Sequence, residues 1–173
     1  MAFSDVEKGE LGGYIEKEEN LDQSGNAWVS DNARVFDNAR VFDDARVFDN
    51  ARVFGDARVS GNAWVSDNAW VFGDARVSGN AWVSDNAWVF GNAEVFGNTW
   101  VSGNAEVSGD AEVFKKTHLL QVGYMGPKDY TTIFFRTKSK EIYVNCNWFE
   151  GSITDFEAAV EKAHKGTKHE KTY

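Results

Sequence analysis

Proline, cysteine, methionine and histidine are nearly missing from this chain. Its 173 residues hold one Pro, one Cys, two Met and three His. With so little proline, turns must be made by other residues. The lone Cys146 excludes an internal disulfide and fits a reducing compartment, so the cytoplasm is the expected location. No stretch approaches the ~20 apolar residues of a membrane span. Met1 to Leu21 has no apolar core of a secretion signal, so none is expected.

Positive charge is scarce as well. The formal net charge is −9. Residues 1–25 carry 2 basic and 7 acidic side chains, residues 26–114 carry 6 and 13, and residues 115–173 carry 10 and 7. An acidic body argues against duplex nucleic acid or an anionic membrane as partner, because both require a basic footprint. It fits a surface that keeps the chain dissolved, and it leaves open a basic protein partner or mimicry of nucleic-acid charge.

What is plentiful is Gly, Phe and Trp, at 16, 13 and 7 residues. That bias comes from a repeat. From Gly25 to Phe114 the chain reads GNAWVS, DNARVF, DNARVF, DDARVF and onward, with the unit [Gly/Asp]-[Asn/Asp]-Ala-x-Val-[Phe/Ser]. The core position departs once, at Thr99. Ala and Val stand two apart, so on a strand they share one side and the variable residue points away. The following three positions suit a corner, since Gly, Asn and Asp tolerate positive φ. Three such sides close a coil of 18 residues, and coils stack at ~4.8 Å, making a body roughly 24 Å tall.

This pattern resembles the hexapeptide-repeat, left-handed parallel β-helix family over Gly25–Phe114. The left hand is what the resemblance implies, against the usual right-handed crossover. The leading segment Leu11-Gly12-Gly13-Tyr14-Ile15-Glu16, followed by Asn20-Leu21, resembles the irregular first coil of uncharacterised bacterial and phage repeat proteins of this type. The expected fold is mainly β, with a capping segment at 1–24, a β-helix of about five regular coils at 25–114, and a C-terminal β-β-β-α module at 115–173.

Reading the outward residue every 18 positions separates three faces. The first carries Trp28, Arg46, Trp64, Trp82 and Trp100; the second Arg34, Arg52, Trp70, Trp88 and Glu106; the third Arg40, Arg58, Arg76, Glu94 and Glu112. Stacked tryptophans can pack offset, and Arg46 between Trp28 and Trp64 allows a cation–π contact. Such ladders stabilise neighbouring coils, and a surface of outward Trp also marks an interface. Three stacked arginines on the third face require counter-charges, for which corner residues Asp43, Asp44, Asp56 and Asp74 are candidates. The drift from Arg in early coils to Glu in late ones would favour antiparallel pairing of two copies. Phe36, Phe54, Phe72 and Phe90 should form a packed column along one edge, and Ser30, Ser66, Ser84 and Ser102 dominate another.

Past Phe114 the period breaks. The expected elements are strands at 118–122, 131–137 and 142–149, a turn at Gly126-Pro127, and a helix opened by a Thr154–Glu157 capping box. Phe156, Ala159, Val160 and Ala163 give that helix an apolar stripe. The module should cover the open last coil, which otherwise exposes core and strand edges. It resembles a small C-terminal module of phage and prophage proteins, with a strand running into a Phe-x-Gly turn, which suggests a phage or prophage origin.

Site chemistry is sparse. Family acyltransferases use a His as general base toward an acyl-coenzyme A, and a carbonic anhydrase-like branch holds a metal with three His. The repeats here contain none; His118, His164 and His169 follow them. No phosphate loop is present, and corner carboxylates such as Asp43 and Asp44 have no cleft to desolvate them. No catalytic residue, cofactor or metal site is therefore expected. The leading expectation is a non-catalytic scaffold or protein-binding module that presents its Trp, Arg and Glu ladders. The partner would be a second or third copy of itself, or another protein. One alternative is a phage inhibitor of a host defence system, its acidic surface occupying a nucleic-acid groove. Another is an acyltransferase whose cleft forms between subunits and uses His118.

Overall fold

In a computed structural model, describing residues 9–125, 130–146 and 148–165, the hexads wind into a β-solenoid of about six turns. Each hexad gives one two-residue strand, its outward residue plus Val, from β2 (Trp28–Val29) through β16 (Glu112–Val113). Strands 18 residues apart pair in parallel, so three parallel sheets form the three expected faces. Each Val sits on the Val of the next coil, as in Val29↔Val47 and Val35↔Val53. The Ala and Val side chains are buried throughout the stack. Thr99 keeps its place in the core by donating its hydroxyl to the Phe96 carbonyl, 3.0 Å away.

The corners turn in the left-handed backbone region. Asp31, Asp37, Asp43, Asp49, Asp67 and Asp85 have φ of 56–60°, and glycines take the same role from Gly55 onward. The expected tolerance for positive φ is therefore used in every coil. The Asp side chains add a bond that glycine cannot make. Asp49, Asp67 and Asp85 donate their backbone N–H to the carboxylates of Asp31, Asp49 and Asp67 respectively, and Gly103 donates to Asp85, so each coil is tied to the next at 2.9–3.4 Å. Asn side chains make a second ladder at the following position, as in Asn68–Asn86–Asn104.

The leading segment adds a partial coil. Strand β1 (Tyr14–Ile15) extends the second face to six strands, and Leu21 bridges to Val41 on the third. A side chain on Gly13 would meet the Ala33 carbonyl at 2.8 Å, so the crossing needs glycine. Asn20 plugs the N-terminal end of the core. It is fully buried, donates to the carbonyls of Asp37 and Ala39, and accepts from Lys17 N–H.

The C-terminal sheet has four antiparallel strands rather than three: β17 (Leu119–Met125), β18 (Tyr130–Arg136), β19 (Ile142–Cys146) and β20 (Phe149–Ser152). Reading 142–149 as one strand merged β19 with the start of β20. Phe149-Glu150-Gly151 is strand, not turn, because it pairs with Cys146, Asn145 and Val144. Helix α1 (Ile153–His164) begins earlier than the Thr154 box implied. Ser152 is its N-cap, its Oγ accepting from Asp155 N–H at 3.1 Å. Its buried side chains are Phe156 and Val160, and Ala163 is exposed. The Gly126-Pro127 turn and His169 fall outside the described residues. Among the described residues no helix is long and apolar enough to cross a membrane.

Alternation divides the sheet's two sides. Ile133 and Phe135, with Leu119 and Tyr143, join the solenoid core. Phe134, Val144, Cys146 and Phe149 pack against Phe156 and Val160 of the helix. The sheet thus covers the last coil. Ala111 bridges to Thr137, Lys138 N–H donates to the Asp110 carbonyl, and Glu112 pairs with Arg136. Burial, aided by the charge of Glu150, raises the Tyr143 phenol above its ordinary pKa.

Candidate functional surface: three side-chain ladders

The three ladders exist in the register the 18-residue period required. On the first face Trp28, Arg46, Trp64, Trp82 and Trp100 are successive partners. Trp82 and Trp100 stack at 5.2 Å and 7° between planes, while Trp64 meets Trp82 edge-on at 5.5 Å. On the second face Trp70 and Trp88 stack at 5.1 Å and 8°. The Arg52 guanidinium lies 4.9 Å from the Trp70 ring centre, a cation–π contact on the second face.

The residue 16 positions earlier decides how the indoles of Trp64, Trp70, Trp82, Trp88 and Trp100 are held, a relation that reading one face at a time does not show. Where it is Ser, the indole N–H has an acceptor: Trp82 donates to Ser66 Oγ at 3.1 Å and Trp100 to Ser84 Oγ at 3.2 Å. Where it is Phe, the rings meet edge to face: Phe48–Trp64, Phe54–Trp70 and Phe72–Trp88, at 5.9–6.2 Å. The Phe column forms as expected, Phe36, Phe54, Phe72 and Phe90 stacking at 4.9 Å. It lies against the second-face tryptophans, so that face is a double aromatic ladder. The periodic signal was present in the sequence as the Ser/Phe alternation, but only coil geometry shows that i and i+16 touch.

These rings are not all consumed by packing. Trp100 is 57% exposed, Trp64 40% and Trp88 37%. Trp148 on the C-terminal module is also exposed, at 50%.

The third face is organised differently from its expectation. At the corners Asp43 accepts Gly61 N–H and Asp56 accepts from Asn38. Asp44 accepts from Asn26. One ion pair on this face runs along the ladder, Arg76 to Glu94 at 3.9 Å. Lys138 reaches Glu94 at 3.0 Å, and Arg136 pairs with Glu112 while lying 5.3 Å from the Phe114 ring. The glutamates of this face thus hold the C-terminal sheet. At the other end Asp22 has a lowered pKa, chiefly through hydrogen bonds from Ser24, with a smaller contribution from Arg40.

Where the second face meets the C-terminal sheet, an open cleft of about 720 Å³ is lined by Phe90, Asn104, Glu106, Ile133, Asn145, Trp148 and Glu150, among others. Asn145 donates to Glu106 at 3.4 Å and Ser108 to Glu150 at 3.2 Å. His118 lies elsewhere, edge-on to Phe114 at 4.2 Å, with its Nδ1 buried and without a hydrogen-bond partner. Among the described residues no group of His, Cys, Asp and Glu is placed to hold a metal ion.

Fold and surface together define a β-solenoid repeat protein. A family model described as the YdcK beta solenoid repeat matches overlapping stretches of the chain, residues 45–59, 51–67, 57–73, 69–85 and 75–89. The likeness therefore lies in the middle coils. No curated protein and no solved structure matches the chain.

Proposed function

We propose that this chain is a non-catalytic scaffold that binds other protein chains through its outward ladders, with the first face as a docking surface. One observation carries the reading. The outward position can be Arg, Glu or Trp without touching the Ala/Val core, yet it is Trp in a contiguous run that leaves Trp64 and Trp100 exposed. The Trp100 indole, stacked on Trp82 and hydrogen-bonded to Ser84, is rigid before binding, so little side-chain entropy is lost when a partner covers it. Tryptophan in such a setting is the side chain most enriched at binding hot spots.

The test uses a chain carrying Trp64→Ser and Trp100→Ser. Both rings lie outside the core, so the far-ultraviolet spectrum should be kept and stability should fall by no more than about 1 kcal/mol per site. Quantitative crosslinking in the cell of origin should then lose the protein chains that wild type holds through this face. An unchanged crosslink profile overturns the reading.

A further inference from the structure

The second face reads, coil by coil, Tyr14, Arg34, Arg52, Trp70, Trp88, Glu106. That order is complementary to its own reverse about Trp70. We propose that two copies of this chain pack second face to second face, related by a two-fold axis that lies in the plane of contact at the level of Trp70, perpendicular to the solenoid axis. Such an axis reverses the solenoid direction, so each rung above Trp70 faces the equivalent rung below it in the other copy. Arg34 then meets Glu106, Arg52 meets the exposed Trp88, and Trp70 meets its own copy. Tyr14, 63% exposed, reaches the cleft beside Glu106. The inference deepens the scaffold reading by naming one partner and the face it uses.

The other two faces cannot do this. The third face has both signs of charge, but Glu94 and Glu112 are held by Lys138, Arg76 and Arg136 of the same chain. The first face carries no carboxylate in its ladder. On the second face Arg34 and Glu106 are both exposed, and among the described residues neither has an ion-pair partner. Glu106 accepts from the neutral Asn145 amide. A register slipped by half a rung would set Arg34 on Trp88 and Tyr14 on Glu106, leaving the carboxylate without a cation. Six rungs span about 24 Å, a contact near the small end of stable interfaces, so the dimer should form reversibly and weaken with salt.

Sedimentation equilibrium over a micromolar concentration series should show mass rising from 19.3 kDa toward twice that value. Arg34→Glu alone and Glu106→Arg alone should each raise the dissociation constant tenfold or more. The two changes on one chain should restore it, and so should an equimolar mixture of the two single variants, because each then supplies the charge the other lacks. Circular dichroism checks that each variant is folded. Failure of both rescues overturns the pairing, and so does a wild-type chain that stays monomeric at every concentration. Neither result touches the first-face reading, which is decided separately by the Trp64 and Trp100 changes.

Discussion

At the scale of single residues, the corner aspartates do two things at once. Asp67 adopts φ of 57°, and its carboxylate accepts the N–H of Asp85 while its own N–H donates to Asp49. Glycine supplies only the first property, alanine neither, and asparagine both. Asp67→Asn should therefore change stability by less than about 0.5 kcal/mol, Asp67→Gly should cost about 1 kcal/mol through the lost acceptor, and Asp67→Ala about 2 kcal/mol through acceptor and backbone together. Urea midpoints of the three variants check the order. If alanine is tolerated as well as asparagine, neither the positive φ nor the inter-coil bond matters. The choice between Asp and Gly at the corner thus follows from a named bond, whereas composition alone presents the two as interchangeable turn residues.

At the scale of elements, what could be read from the sequence depended on period. The solenoid strands and their three faces follow from Ala and Val two apart and a strict 18-residue coil, which assigns Trp64, Trp82 and Trp100 to one ladder from sequence alone. The C-terminal module has no period to mark where its strands begin and end. Cys146, Trp148 and Phe149 carry an apolar signal from the end of β19 to the start of β20, which hides the boundary between them, and the cap role of Ser152 is hidden by a downstream box with the same chemistry. The fate of the third-face glutamates was illegible for a related reason. Their partners, Arg136 and Lys138, lie outside the repeat and reach it only through the docking of β18. That docking rests on Phe135, which is 1% exposed and buried against the last coil. Phe135→Ala should cost about 3–5 kcal/mol. It should also raise hydrogen exchange in the last coil, near Ala111, well before the middle coils. Protection lost evenly along the solenoid would show that the module does not act as an end cover.

At the scale of the whole molecule, the hexad and the coil carry different information. The hexad builds the core, because every unit offers the same Ala and Val. The coil builds the surface, because only units 18 residues apart share a face. Deletion of residues 55–60 removes one hexad, so every later unit moves to the neighbouring face relative to the coils before it. The Ala/Val column remains continuous, while the contacts of Phe48 with Trp64 and of Arg52 with Trp70 are lost. Arg52 would instead be followed on its face by Arg76, Glu94 and Glu112, and Arg46 by Trp70, Trp88 and Glu106. The expected outcome is a chain with a solenoid spectrum and cooperative urea unfolding, although its outward ladders are reordered. A three-residue deletion at the same place is the control, since it turns strand positions into corners and moves Val out of the core, and it should abolish folding. Nearest-neighbour stability in repeat stacks makes this contrast sharp, because a preserved interface between adjacent coils is sufficient for the stack to continue. If the six-residue deletion unfolds as completely as the three-residue one, the outward ladders are required for the fold, and the division of labour between inward and outward residues is wrong.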